Sequence, residues 1–587
     1  MIDYAIELGH EVIAITEHES ISNAIKVEKY YNKIKKDHPN FKVILGNEIY
    51  LCRDGLNGQN FNKEEDKYFH FILLAKDAIG HKQIREISTR AWMRSYMTGK
   101  MRRVPTYYQD LIDIIGAEPG HIIGSTACLG GFLGTKLIQY KNMNSELKND
   151  FYEKIKNWLK QMENIFGKEH FYLEMQPSSD KDQIFVNQEI IKLSEELNIP
   201  YIITTDSHYL KEEDAPIHKA FLNSEEGDRE VDSFYATTYL MDNDTLENYF
   251  VNYTNEEILQ NAYQNILKIK NMCEDYTLKK ELKIPSLIWR ECEQFSQEKY
   301  NWYFSKMPFL NKFFNSDFNG DRHMVNLIIQ KLESDKRLQN EETYNELNDN
   351  LRITWESSEV NKVHWSAYFL NLQKTIDVCW EAGTIVGPGR GSGVGFLLLY
   401  ILDIIQINPM WETTKTFSWR FLNPARVSVL DIDTDIEGGK RAQVLQKLRE
   451  FYGYDRVSNV ATFLTEGSKS AIQTAARGLG IDNDISLYIA SLVPADRGKL
   501  RTLAQCYYGD EENDFKPIPL FIQQMKKYPE LWQVAQKIEG LVNHIGEHAG
   551  GIIFVDEPFT KSTALMRVPN DDIVTQFDLH DSEDASQ

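Results

Sequence analysis

The sequence predicts a multidomain protein of mixed class: an α/β, barrel-like domain first, then a domain that combines helices with a short carboxylate-bearing strand. Two patterns carry that expectation. Through the first half, short apolar runs alternate with helical stretches, and the runs end in polar residues. In the second half, charged helical segments lead to a glycine-rich turn and then to aspartates that recur with period two. At 587 residues the chain exceeds one ordinary domain. Its 42% hydrophobic and 26% charged content is that of a globular protein.

The first residues, Met1-Ile2-Asp3-Tyr4-Ala5-Ile6, read as an amphipathic helix, and no secretory leader is evident. Apolar runs at 11–16, 41–46, 68–75, 121–128, 171–175 and 201–208 read as strands. Their alternation with helical stretches implies βα units around a parallel sheet or barrel. His18, Glu48, Cys128, Asp206 and His208 fall at or just past the ends of these runs, and His70 lies within the third. Barrel enzymes place chemistry at strand ends, and these residue types suit a transition metal. Taken singly, each is more often structural.

Residues 256–272 read as a helix, 282–285 as a linker, 321–351 as a charged helical segment, 368–380 as a helix and 440–452 as another. Between the last two, Val386-Gly387-Pro388-Gly389-Arg390-Gly391-Ser392-Gly393-Val394-Gly395 precedes the apolar run Phe396-Leu397-Leu398-Leu399-Tyr400. Glycines allow close approach to a ligand, the following helix start favours phosphate, and Arg390 adds a cation. The turn matches neither the Walker nor the dinucleotide pattern, and by itself a plain tight turn is an even alternative. In a strand, Asp431, Asp433 and Asp435 share one face, with Leu430, Ile432 and Ile436 on the other. Carboxylates so crowded repel unless a cation sits among them. An EF-hand fails, because its sixth and twelfth positions fall on Ile436 and Ala442. A phosphate turn followed by a carboxylate strand points to phosphoryl or nucleotidyl transfer with two metals.

The net charge of −22 argues against nucleic-acid binding unless a basic face is local. The candidate is Arg90-Ala91-Trp92-Met93-Arg94 continuing to Lys100-Met101-Arg102-Arg103, for which a solvated helix face is the commoner reading. The six cysteines are scattered without a C-x-x-C pair, as expected of free thiols in a reducing cytoplasm. No apolar run approaches the length of a membrane span.

In order along the chain, VGPGRGSGVG, RFLNPARVSVLDIDTDI, HAGGIIF and VTQFD resemble the bacterial replicative DNA polymerase III alpha subunit, the C-family of DNA polymerases. The resemblance implies addition of deoxynucleotides to a primer 3′-OH. It assigns Asp431 and Asp433 to catalytic Mg²⁺, with Asp435 supporting, and Arg390, Gly391, Ser392 and Lys469 to the triphosphate. Gln473 stands where the family commonly has Arg, whereas Arg477 fits. The first half resembles the PHP domain, a (β/α)7-like barrel of metal-dependent phosphoesterases, here expected to lack its first strand and the histidines it carries. His18, Glu48, His70, Cys128, Asp206 and His208 match that family's metal ligands, for Zn²⁺ or Mn²⁺ in an incomplete site; Glu17 stands where Asp is usual.

The resemblance divides the chain into a PHP domain at 1–283, an α+β, nucleotidyltransferase-like palm at 284–462, an inserted helical thumb at 463–540 and a palm return at 541–587. His548 opens that return, with a buried turn histidine as the plain alternative. Expected partners are primer–template DNA, deoxynucleoside triphosphates, replisome subunits and a second polypeptide carrying the fingers; no membrane is expected. A third catalytic carboxylate and the fingers are expected to be lacking, so the isolated chain is expected to be inactive. Alternatives are a PHP phosphoesterase or 3′–5′ exonuclease, and a non-catalytic half of a split polymerase.

Overall fold

The computed structural model describes residues 1–62, 66–99, 101–224, 235–281, 283–285, 294–411, 432–496 and 498–586. They form two compact units that do not follow chain order. The first comprises Met1–Leu278, Val460–Ala549 and Thr563–Asp581, and the second Lys279–Asn459, Gly550–Ser562 and Ser582–Gln587.

The first unit is built on a sheet of strands β1 (Val12–His18), β2 (Lys42–Cys52), β3 (Phe69–Ala75), β4 (Pro105–Tyr107), β5 (Ile122–Ser125), β6 (Phe171–Met175) and β7 (Tyr201–Ile203). Its order is β1-β2-β3-β5-β6-β7, with β4 paired to the far end of β2. The sheet is not parallel throughout: β3 runs antiparallel to both β2 and β5, while β1–β2, β5–β6 and β6–β7 are parallel. No helix lies among the described residues between β2 and β3, so the chain returns without the crossover that parallel pairing needs. Elsewhere helices supply it: Ala24–Ile34 after β1, Ser145–Phe166 after β5 and Lys181–Leu197 after β6. The reversal brings the start of β3 beside the C-terminal end of β2, with Tyr50 opposite His70.

Side chains alternate across a strand, so Ile44 shares a face with Glu48, Leu74 with His70 and Tyr172 with Glu174. Toward one end that face is apolar, with Ile44, Leu74, Ile123, Tyr172 and Ile202 packed together. Toward the other it is polar, and there the ionisable residues gather.

Also in the first unit, helices Ser468–Gly478, Asn483–Ser491, Leu503–Tyr508, Pro519–Lys527 and Pro529–Ile538 surround Ala471, Ala475, Leu503, Phe521, Leu531 and Val534. The first of these packs on helix Ala215–Asn223 so closely that a Cβ on Gly478 would lie 1.9 Å from the Ala220 carbonyl oxygen. Strands Val542–Phe554, Val457–Thr465, Ile573–Asp578 and Leu565–Arg567 form a second sheet in that order. His548 is half-buried within the first of these strands, so it lies in a strand and not in a turn.

The arginine cluster at 90–103 is committed internally. Arg94 holds Asp110 through two bonds of 2.6 and 2.9 Å, Arg90 reaches Glu86 at 2.7 Å, and Arg102 reaches Asp571 at 3.0 Å. These pairings favour the structural reading over a free basic face.

The second unit is mainly helical. Helices Pro308–Phe314, Asn319–Ser334, Glu341–Asn361 and Trp365–Glu381 pack around Leu310, Ile328, Leu347 and Phe369. The charged stretch at 321–351 is two helices, broken by a 3-10 turn at Lys336–Leu338. Asn340 then caps the second helix by accepting the Thr343 N–H at 2.9 Å. No helix among the described residues is long and apolar enough to cross a membrane.

Candidate metal centre and phosphate turn

Strand ends assemble the first site. His18 closes β1 directly opposite Glu48 of β2. His70, near the start of the reversed β3, lies two residues along that register, and its Nδ1 is 2.5 Å from Glu48 Oε1. Cys128 follows β5, its Sγ 3.5 Å from His70 Nδ1. A Cβ on Gly130 would lie 3.1 Å from the His70 ring, so the small residue leaves that ring its place. Ligand atoms of Glu48, His70 and Cys128 all lie within 4.8 Å of one another. Glu48 and Cys128 are buried and His70 half-buried, and the outer members lie around these three. His18 Nδ1 is 3.7 Å from Glu48 Oε1, and its ring is 5.7 Å from that of His208 and 5.8 Å from that of His70. Asp206 and His208 follow β7 as a pair, 3.8 Å apart.

The electrostatics are those of a crowded, half-desolvated cluster. Burial would raise the Glu48 carboxyl, but the His70 hydrogen bond and the charges of His18, His70 and His208 take it below its ordinary value. Burial and the Glu48 charge raise Asp206. Burial raises the Cys128 thiol, and the charges of Asp206 and Glu48 raise it further. Burial lowers His18, with Glu48 opposing and His208 and His70 adding. A cation would favour the ionised Asp206 carboxylate and Cys128 thiolate together, and a nitrogen, oxygen and sulfur donor set fits a transition metal. The strand-end turns carry left-handed backbone at Glu19 (φ 58°), Ala127 (φ 56°) and Asp206 (φ 47°), as sites that hold local strain do.

Several site neighbours escaped the sequence reading. Tyr50, two residues past Glu48 on the same face, bonds His18 Nδ1 at 2.9 Å. Glu174, a lone charge in an apolar strand, is buried and accepts hydrogen bonds from Ser125 and Thr204. Period-two spacing from Glu48, and the acid's place in β6, were the signals available.

The second site belongs to the second unit. Arg390–Gly391 pairs antiparallel with Ile432–Asp433, placing Arg390 opposite Asp433 and Gly391 opposite Ile432. Arg390 Nη1 is 2.5 Å from Asp433 Oδ2, and Nη2 is 3.5 Å from Asp435 Oδ1. Ile432 and Ile436 instead face apolar clusters, so the alternation expected of this strand holds over its described part. Asp431 lies outside the described residues. The turn's glycines are needed on both counts: Gly389 and Gly391 have φ of 99° and 97°. A Cβ on Gly389 would lie 2.6 Å from Ile405, and one on Gly393 2.7 Å from Ile432. The helix expected after the turn is a 3-10 segment, Ser392–Gly395, and then a buried helix of only 5 residues, Leu397–Ile401. Its dipole is correspondingly small, so backbone amides and Arg390 are the local features suited to an anion. Lys469 stands in the first turn of helix Ser468–Gly478 in the first unit.

Comparison with known proteins gives two family matches: the PHP domain over residues 1–178 and the bacterial DNA polymerase III alpha NTPase domain over residues 323–586. A probable DNA polymerase of Bacillus subtilis and a DNA-directed DNA polymerase of Bacillus phage SPbeta are each 37% identical over 99% of this chain and 46% of their own length. The DNA polymerase III subunit alpha of Campylobacter jejuni is 29% identical over the same shares. The chain thus spans about half the length of the curated relatives it matches.

Proposed function

From the premise that this chain is DNA polymerase III alpha-like, with a PHP domain followed by the alpha NTPase domain, we propose that it contributes the nucleotide and metal site of a replicative DNA polymerase. The substrates are a deoxynucleoside triphosphate and a primer 3′-OH on template DNA. One observation carries the reading: the glycine turn and the carboxylate strand are two sides of one antiparallel pair. Anything bound at Gly391 is therefore beside Asp433.

Asp431 and Asp433 hold the ions and Asp435 supports them. Hard carboxylate oxygens fit Mg²⁺, and Arg390 is the cation now lying against both Asp433 and Asp435. Bound there, Mg²⁺ would acidify the 3′-OH and offset triphosphate charge. The exposed Arg390 guanidinium then turns to the phosphates, where Gly391 and Ser392 offer backbone N–H groups. Calorimetry tests the ion assignment: Asp431→Asn and Asp433→Asn should each weaken Mg²⁺ or Mn²⁺ binding roughly 10-fold or more. Unchanged affinity in both variants contradicts it.

A second activity is favoured by the cluster of buried Glu48 and Cys128 with half-buried His70. We propose that it holds Zn²⁺ or Mn²⁺ with His18, Asp206 and His208, as a phosphoesterase or 3′–5′ exonuclease centre. Release of mononucleotides from DNA 3′ ends, lost in His70→Ala and retained in Asp433→Asn, is the expected result. Release that survives His70→Ala rules this reading out. The replisome subunits and a polypeptide carrying the fingers remain the proposed partners.

A further inference from the structure

The His18 turn is held by a residue far along the chain. After β1 the backbone enters the left-handed region at Glu19, which a non-glycine residue keeps only when its surroundings hold it there. The Glu19 carbonyl accepts Trp92 Nε1–H at 2.8 Å and Ser88 Oγ–H at 3.0 Å. Asn47 donates to the carbonyls of Glu17 and Ser20 at 2.8 and 2.9 Å. Backbone bonds add to this, from the Glu19 N–H to the Glu48 carbonyl at 2.8 Å and from the Ser20 N–H to the His18 carbonyl at 2.6 Å, and a further hold comes from Gln576, in the VTQFD segment. Its Oε1 accepts the Ile21 N–H at 3.0 Å, and its Nε2 donates to Ser88 Oγ at 2.8 Å and to the Leu565 carbonyl at 3.0 Å. Gln576 is 0% and Ser88 2% exposed, so water cannot replace these bonds. One amide therefore fixes both sides of the turn: Ile21 directly, and Glu19 through Ser88. All these residues lie in the first compact unit.

We propose that Gln576 is a positioning residue for the metal centre: from a strand of the polymerase-type segment it sets the His18 turn, and with it the outer ligand His18. The inference rests on the metal reading of that centre. It places control of a site built by the N-terminal sheet in a strand that the alpha NTPase match includes. Tension or displacement of strand Ile573–Asp578 would be felt at His18, while Glu48, His70 and Cys128 sit on other strands and loops.

The experiment uses the full chain in metal-free buffer and then with Co²⁺ alone. Gln576→Met keeps volume and removes all three hydrogen bonds. Amide exchange at Ile21 should quicken about fivefold or more, the factor one lost buried hydrogen bond gives. Co²⁺ affinity should fall about 10-fold, within the range for residues that orient ligands. The thiolate-to-cobalt absorption from Cys128 should persist at saturation. Ser88→Ala should reproduce both effects, and the double variant should add little, because the two residues share one chain of bonds. Gln83→Met is the control. On helix Ala78–Met93, which also carries Ser88, it removes one buried and one part-buried bond, to the Ile114 and Glu118 carbonyls, without touching the turn. Unchanged Ile21 exchange in Gln576→Met and Ser88→Ala, or equal losses in Gln83→Met, overturns the proposal. If the wild-type chain takes up no Co²⁺, the metal reading fails and exchange at Ile21 alone decides the positioning claim.

Discussion

Glu174 illustrates what burial does to a single group beside the proposed metal centre. Burial pushes its carboxyl from the ordinary 4.5 up to about 7, against hydrogen bonds from Ser125 and Thr204, with the charges of Asp206 and Glu48 adding. The folded state therefore holds this proton more tightly than the unfolded chain. Its contribution to stability is full below 4.5 and is lost as pH rises through about 7. In metal-free protein, Glu174→Gln should flatten the fall in unfolding temperature across that window; an unchanged slope assigns the fall to other groups. Asp433 offers a second test at this scale. Removing its charge with Asp433→Asn leaves Arg390, among the described residues, the 3.5 Å contact to Asp435. An exposed pair contributes little, so unfolding should shift by less than about 1 kcal/mol while metal binding falls. A large loss of stability instead would make Asp433 a structural residue.

Elements explain which parts of the structure were legible in the sequence. Helices with full amphipathic periods were readable nearly to the residue: Glu256–Met272 and Arg441–Tyr452 lie where the pattern put them. The strand series was readable too, but not the direction of β3, since an apolar run such as Phe69–Ala75 carries no mark of polarity. The ionisable residues at strand ends stood out by chemical type. Their neighbours Tyr50 and Glu174 did not, because a tyrosine or one acid in a strand is common. Gln576 was unreadable for a different reason: its partners Ile21 and Ser88 are hundreds of positions away. Close helix packing is equally long-range, and Gly478 tests it. Gly478→Ala should destabilise the first unit by about 1–3 kcal/mol through overpacking against Ala220. Gly438→Ala, which meets no atom within 4 Å, should change urea unfolding little. Equal effects would mean that the helix contact is loose in solution.

At the scale of the whole molecule, chain order and compact units diverge. Residues Val460–Ala549 and Thr563–Asp581 belong with the N-terminal sheet, so a boundary drawn along the sequence cuts through a packed unit. A fragment ending at residue 283 would lose the Gln576 bonds and the helix packing at Gly478, and should fold less stably than its own core implies. The net charge of −22 adds a constraint, because an anionic protein takes up a triphosphate only where local cations and amides outweigh the overall field. The turn at Arg390 and Gly391, backed by Asp433, is the local arrangement proposed to do so. Its most direct test is titration of a fluorescent deoxynucleoside triphosphate with the 587-residue chain, with and without Mg²⁺. The account predicts Mg²⁺-dependent binding, weakened about 10-fold or more by Asp433→Asn and abolished by a folded Gly391→Val, whose side chain would block approach to the turn. Binding that ignores Mg²⁺ and is equal in wild type and both variants would contradict it.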